Sequence, residues 1–270
     1  VVYGVSTSTS ISSLFMAGFL PGLLIGASLI LMSYIYCRRH GWKGDDRRYT
    51  FREKMEAIWD AKWALINPII ILGGIYAGVF TPTEAAAVAA VYAFICGVFI
   101  YKELDFKQLF GTLGSACSTT GTTMVIIGCA TAFTRILTIE KIPDTITTGI
   151  LNFSDNMIVI LLLINLLLLV VGCFMDTTPA MMVLSPILLP IAMQFGVDPI
   201  HFGLIMVVNL AIGFITPPLG INLFVAARVG GSSLETVCSG IIKFILVMIL
   251  DLLLITFIPG ISMILPNTFM

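Results

Sequence analysis

Apolar runs of about 20 residues recur along the chain, separated by short clusters of Pro, Gly, Thr and charge. No short alternating segments of strand type accompany them, so the runs read as helices, and about 20 apolar residues is the length that crosses a bilayer. The first predicted span is Leu14–Cys37. At about 1.5 Å per residue it reaches roughly 36 Å, enough for about 30 Å of hydrocarbon with some tilt. A charged stretch follows, then Phe51–Trp63, in which Phe51, Met55, Ile58, Trp59 and Trp63 recur at helical spacing, largely apart from Arg52, Glu53, Glu56 and Asp60. That pattern predicts an amphipathic helix along the membrane interface. Ala64–Tyr101 is too long for one span and breaks at Thr81-Pro82-Thr83-Glu84. Thr81 or Thr83 suits an N-cap, with Pro82 near the first helical position and Glu84 in the first turn. Gly111–Leu137 reads as a Gly/Ser/Thr-rich helix, a composition that favours close packing in a membrane, and Thr138–Asn156 as a polar connection.

The later part of the chain is the more informative. Ile158–Met175 is almost purely aliphatic, runs into Asp176-Thr177-Thr178-Pro179, and gives way to a second apolar arm, Ala180–Gln194. Two arms so short, joined by four residues, form either two spans or a re-entrant hairpin. Pro186 and Pro190, expected to shorten or kink the second arm, favour the hairpin. His201–Ile215 is a third short helix, about 22 Å long. It stops at Thr216-Pro217-Pro218-Leu219-Gly220, and Ile221–Arg228 resumes it. Two missing N–H groups and a permissive glycine prevent an α-helix from continuing through this break. Val229–Ser233 reads as a loop, and the final span as Lys243–Ile258.

Composition turns this pattern into a class. Hydrophobic residues make up 58% and charged residues 11%, and the mean hydropathy is +1.05. A soluble surface needs about 25% charged residues. The chain therefore reads as an all-α polytopic membrane protein. Eight of its 14 basic residues lie between Arg38 and Lys62, which places that loop in the cytoplasm; Arg228 and Lys243 do the same for the later loop. A net charge of −1 gives no sign of nucleic acid. Six cysteines, scattered singly, read as small buried hydrophobes. No nucleophile elbow, HExxH, Walker motif or acid pair with a histidine partner occurs, so the chain does not read as an enzyme. Its start, Val1-Val2-Tyr3-Gly4-Val5, has neither an initiator Met nor a signal-peptide pattern and reads as the middle of a longer protein.

Unwound backbone at membrane depth is tolerated only where protein buries it or a wet cavity receives it. Secondary transporters use such breaks to bind ions: half-helix C-termini offer carbonyls to Na⁺, and half-helix N-termini face anionic groups. Two candidate devices stand close together in sequence, the Gly172…Asp176-Thr177-Thr178-Pro179 tip and the Gly213…Thr216-Pro217-Pro218-Leu219-Gly220-Ile221-Asn222 break. Threonine hydroxyls, the Asp176 carboxylate, the Asn222 amide and backbone carbonyls are the hard oxygen ligands that Na⁺ requires. Other roles stay open: Asp176 as a cap, Thr177 and Thr178 as caps or packing residues, Pro217-Pro218 as an ordinary loop. Glu84 is either a cap or functional, Ser185 and Asn209 read as packing residues, and Arg135 and Asp251 are lone charges without an assigned role.

Gly78-Val-Phe-Thr-Pro-Thr-Glu-Ala-Ala-Ala87, Gly172-Cys-Phe-Met-Asp-Thr-Thr-Pro-Ala180, Gly196-Val-Asp-Pro-Ile-His-Phe-Gly203 and Gly213-Phe-Ile-Thr-Pro-Pro-Leu-Gly-Ile-Asn-Leu-Phe-Val225 together resemble the large membrane (M) subunit of tripartite ATP-independent periplasmic (TRAP) transporters. That subunit has two inverted halves, and the chain resembles the C-terminal half plus the tail of the first. The resemblance implies an elevator-type fold with a re-entrant hairpin and a broken helix. It also implies Na⁺-coupled import of an organic acid anion, of sialic acid or C4-dicarboxylate type, across a bacterial inner membrane. The implied partners are a small four-helix membrane (Q-type) subunit and a periplasmic substrate-binding protein. The implied Na⁺ set is Gly172, Asp176, Thr177, Thr178, Gly213, Thr216 and Gly220, with Pro179, Pro217 and Asn222 towards the substrate. The implied organisation is 1–157 as first-repeat tail, first span, cytoplasmic amphipathic helix and scaffold or arm helices. Residues 158–228 follow as the transport-domain hairpin and broken helix, and 229–270 as a cytoplasmic loop and the final span. The alternatives are a passive channel, or a Na⁺- or H⁺-coupled anion transporter working without a binding protein.

Overall fold

A run of apolar residues forms a helix at membrane depth because only a helix satisfies every backbone group within the segment. The computed structural model describes residues 1–42, 50–102, 104–141, 145, 148–149, 156–218 and 220–269, and among these every regular element is helical. Six of the helices are long and apolar enough to cross a bilayer. The chain divides into two compact units, 37–122 and a larger one built from 1–36 and 123–270.

In the smaller unit, the predicted interfacial helix is α3 (Phe51–Asp60), bent by 63° from α4 (Lys62–Tyr76). The break at Thr81 is also present. α4 ends, Gly78 turns the chain with a φ of 68°, and α5 (Pro82–Ile95) begins behind a capping box. The Glu84 carboxylate accepts from the Thr81 N–H and hydroxyl, both at 2.8 Å, while the Glu84 N–H donates back to Thr81 Oγ1 at 3.3 Å. Of the two roles open to Glu84, the structure displays the cap. Replacing Thr81 with alanine should cost about 1 kcal/mol and lower the unfolding midpoint of the detergent-solubilised permease, whereas Thr83→Ala, inside the first turn, leaves it in place. A π-helical turn, Cys96–Ile100, ends this segment. α6 (Phe106–Ile139) then runs longer than predicted at both ends. Thr112, Thr119, Thr122 and Thr131 donate to carbonyls one turn back in the same helix, at 2.7–3.0 Å.

The larger unit is organised by a short apolar helix. α9 (Pro199–Gly213) is apolar nearly all round, and eleven of its residues, from His201 to Gly213, are buried. An all-round apolar helix belongs in a core. One side packs on α7 (Met157–Phe174) and α8 (Thr177–Gln194) around Leu161, Ile164, Leu168, Ile191, Phe202 and Met206. Another packs on α11 (Leu234–Phe257) around Val208, Ile212, Leu252 and Ile255. Local chemistry fixes both of its ends. Gly196, at a φ of 79°, closes α8, with the Val197 N–H reaching the Ala192 carbonyl at 3.1 Å. Asp198 then caps α9 by accepting from the Ile200 N–H at 2.7 Å, and Pro199 takes the first helical position. The short α1 (Val2–Thr7) is pinned to this start: the Tyr3 hydroxyl donates to the Pro199 carbonyl at 2.7 Å, and its ring lies against Gly203 where a Cβ would stand.

Several boundaries differ from expectation. α2 (Ile11–Arg39) extends past the predicted first span at both ends. α8 runs its full 18 residues through Pro186 and Pro190, so the prolines do not shorten it and the two arms are equal in length. The final span starts at Leu234, not Lys243, because Ser233 caps it by accepting from the Thr236 N–H at 3.3 Å. Beyond it lies an unpredicted helix, α12 (Pro259–Phe269), in which Pro259 starts rather than stops the element. Of the six cysteines only Cys96 is buried within the chain; Cys117 and Cys129 are exposed. Asp251, buried in α11, accepts a hydrogen bond from Ser28 Oγ of α2, which gives this lone intramembrane carboxylate a partner. The basic stretch 43–49, and most of the connection expected at Thr138–Asn156, lie outside the described residues.

Candidate functional site

Two helix interruptions make a site only if folding brings them together. The α7–α9 interface is the most extensive between helices of the chain, and its closest point lies next to both interruptions. At Gly172 and Gly213 the two backbones touch. A Cβ on Gly172 would stand 3.2 Å from the Gly213 Cα and 3.3 Å from the Leu210 Cα. A Cβ on Gly213 would stand 2.7 Å from the Gly172 carbonyl oxygen. This approach requires glycine at 213 and makes any larger residue tight at 172, since both sit in ordinary helix and no unusual φ calls for glycine.

From Gly172 the chain makes little more than half a turn of helix before it opens. Met175 is extended, with φ −123° and ψ 149°, and Asp176 follows as the N-cap of α8 with φ −63° and ψ 149°. The Asp176 side chain makes no capping hydrogen bond, so the alternative of a simple cap is not what it does. Among the described residues neither its carboxylate nor the Thr177 and Thr178 hydroxyls carry a hydrogen bond. Asp176 is exposed, while Thr177, Thr178 and Pro179 are half-buried in the first turn of α8. The tip thus offers three oxygen-bearing side chains at a helix N-terminus.

From Gly213 the chain tightens and folds under itself. The N–H groups of Ile215 and Thr216 reach back three residues, to Ile212 and Gly213, at 3.1 and 3.0 Å. The Gly220 N–H donates to the Thr216 carbonyl at 3.2 Å, and the Asn222 N–H spans the break to the Phe214 carbonyl at 3.3 Å. The Pro217-Pro218 bond within this fold is cis. A Cβ on Gly220 would lie 2.9 Å from the Thr216 carbonyl oxygen and 3.0 Å from that of Phe214, so glycine is again imposed by close approach. Thr216 Oγ1 donates to the Ile212 carbonyl at 2.7 Å, which leaves the lone pairs of its hydroxyl oxygen to accept. α10 (Ile221–Gly230) then begins, with the Asn222 side chain exposed. Leu219 lies outside the described residues.

The structure therefore brings Gly172 to Gly213, and Gly220 beneath Thr216. Asp176, Thr177, Thr178 and Pro179 follow Gly172 in the chain, beyond the extended Met175. The available donors are hydroxyl, carboxylate and carbonyl oxygens. Among the described residues no group of three or more His, Cys, Asp or Glu gathers as a transition-metal site would require. Such oxygen donors suit a hard cation rather than a soft transition metal.

One polar feature beneath this site was not visible in the sequence. Asn209 donates through Nδ2 to Asn165 Oδ1 and to the Ile205 carbonyl, both at 2.8 Å; Asn165 Nδ2 donates to Thr256 Oγ1 at 3.1 Å. His201 Nε2 lies 3.2 Å from the Thr256 carbonyl. All four side chains are buried, and they tie α7, α9 and α11 together along the face that carries Gly172 and Gly213. Asn209 was expected to be a packing residue; it is a bonded junction, as is Ser185, whose hydroxyl meets that of Ser6 at 2.8 Å. Their signal was only a lone polar residue in each apolar run.

In this polytopic helical protein α7 and α9 touch at Gly172 and Gly213, each a few residues before an interruption of the helix. The family described as the tripartite ATP-independent periplasmic transporter, DctM component, matches residues 1–261, and the chain belongs to that family, one of transporter components rather than enzymes. The isethionate TRAP transporter permease protein DctMQ of Oleidesulfovibrio alaskensis is 48% identical over 97% of this chain and 41% of its own length. The C4-dicarboxylate TRAP transporter large permease protein DctM of Pseudomonas aeruginosa is 41% identical over 99% of the chain and 62% of its own length. The sialic acid TRAP transporter large permease protein SiaM of Vibrio cholerae is 38% identical over the whole chain and 63% of its own length. The chain thus spans less than two thirds of each of these relatives.

Proposed function

We propose that the permease containing this chain imports a small organic acid anion across a bacterial inner membrane, with Na⁺ as the coupling ion. In this reading a periplasmic binding protein delivers the anion, and a small Q-type membrane subunit completes the complex. The contact of Gly172 with Gly213 carries the proposal, because each glycine stands a few residues before one of the two helix interruptions. The cation supplies the positive charge that makes an anion's passage favourable down the Na⁺ gradient. Asp176, Thr177, Thr178 and Thr216 supply side-chain oxygens for it, the backbone at Gly172, Gly213 and Gly220 supplies close approach, and Pro179, Pro217 and Asn222 flank the anion. An elevator motion follows naturally, since hairpin and broken helix share one hydrophobic core and would travel as one body. The relatives named for isethionate, C4-dicarboxylates and sialic acid indicate the cargo class, small anions with a carboxylate or sulfonate head. The name DctMQ, which joins the large component to a Q component, supports the small-subunit partner.

The test is uptake of these anions into liposomes holding the full-length permease, the small subunit and the binding protein. Uptake should saturate, require the binding protein, and fall to background when K⁺ replaces Na⁺. Equal rates in K⁺ would remove the coupling, and linear flux without the binding protein would make the protein a passive pore.

A further inference from the structure

Arg135 lies four residues from the end of α6, next to Thr134, and is exposed. A long basic side chain near a helix end can reach the interface, so the cavity that Arg135 lines, rather than its charge alone, marks it as a candidate. Among the described residues no carboxylate pairs with it. It lines a cavity of about 460 Å³ together with Ser6 of α1, Thr131 and Thr134 of α6, and Met182 and Pro186 of α8. That volume is in the range of small-molecule sites, about 300–1,000 Å³. Met182 and Pro186 stand on the same face of α8 as Pro179, one and two turns beyond it. Pro179 itself lines an adjoining, apolar hollow of about 320 Å³ with Val183 and Phe133, and Ala130 borders both spaces. The groove between α6 and α8 thus starts beside the hairpin tip with apolar walls and ends at one cation among hydroxyls.

We infer that Arg135 is the anion anchor of this permease: its guanidinium holds the carboxylate or sulfonate head of the cargo in the α1–α6–α8 cavity. The hollow beside Pro179 takes the carbon skeleton. A planar guanidinium offers two parallel N–H donors to either head group, which a lysine ammonium does not. Thr131 and Ser6 already donate to protein acceptors or share a hydrogen bond, at 2.7–3.0 Å, so they orient the head rather than neutralise it. The inference rests on the reading that the cargo is a small organic anion.

The experiment measures the unfolding temperature of the detergent-solubilised, full-length permease with its small subunit, titrated with isethionate, succinate or sialic acid, and separately with Na⁺. At least one anion should stabilise the wild type. R135Q should require at least tenfold more of that anion for the same shift, and R135K should fall between them. The Na⁺ shift should be the same in all three, which shows that the variants are folded. An anion response in R135Q equal to wild type, no response of the wild type to any of the three anions, or a variant effect that appears only when anionic lipid is added would overturn the assignment. Loss of the anion response in R135Q with no Na⁺ response in any protein would leave Arg135 in place and remove the Na⁺ coupling instead.

Discussion

Gly213→Ala is expected to reduce uptake by the full-length permease about tenfold or more, and Gly172→Ala to do less. A methyl on Gly213 would push into the Gly172 peptide, where both partners are backbone and neither can rotate away. A methyl on Gly172 would meet its neighbours at 3.2–3.4 Å, a distance that a few tenths of an ångström relieve. Overpacking of the first kind costs about 1–3 kcal/mol, and 1.4 kcal/mol is about a factor of ten in an equilibrium. The strain would appear where α7 and α9 run into the two interruptions, so it separates the groups proposed to share the cation. Initial uptake rates at saturating binding protein, normalised to permease in the membrane, give the comparison. An order of severity with Gly172→Ala the worse variant would contradict the packing.

The second large effect is expected at the oxygens themselves. Asp176→Asn removes the only carboxylate of the tip while keeping its size, and Thr178→Ala and Thr216→Ala each remove one hydroxyl. None of the three is tied up in a role whose loss would unfold the site: Asp176 makes no capping bond, and Thr216 only returns a hydrogen bond to its own helix. The Asp176 variant is expected to shift the Na⁺ concentration for half-maximal uptake upward by at least tenfold, and the threonine variants by a few-fold each. A neutral amide still offers one oxygen but no charge, and charge–ion attraction is the larger part of binding a monovalent cation by a carboxylate.

The sequence showed the interruptions themselves, because Pro and Gly between apolar runs break helical hydrogen bonding. The Thr81 cap, the start of the helix expected over Phe51–Trp63 (α3 ends at Asp60) and the start of α10 after Gly220 were visible in the same way, being local chemistry. The partnerships across elements were hidden. Nothing in either glycine indicates that Gly172 meets Gly213, since that contact depends on how α7 and α9 pack. Asn165, Asn209, His201 and Thr256 each look like an isolated polar residue, and only the three-helix junction makes them a chain. Arg135 and Asp251 looked alike as lone charges. Packing separates them: one is buried against Ser28, the other opens onto a cavity. Pro186 and Pro190 misled for the converse reason. Proline signals a break from local rules, whereas α8 runs through both prolines.

The most direct measurement is the rise in unfolding temperature of the purified full-length permease as NaCl replaces KCl at constant ionic strength. A cation that binds only the folded state at 100 times its dissociation constant adds about 2.7 kcal/mol of stability. The wild type should therefore climb steadily with Na⁺. The Asp176→Asn, Thr216→Ala double variant should stay flat over the same range, with its midpoint in KCl unchanged. If the wild type ignores Na⁺, or if the double variant follows it step for step, no cation is held between the hairpin tip and the broken helix.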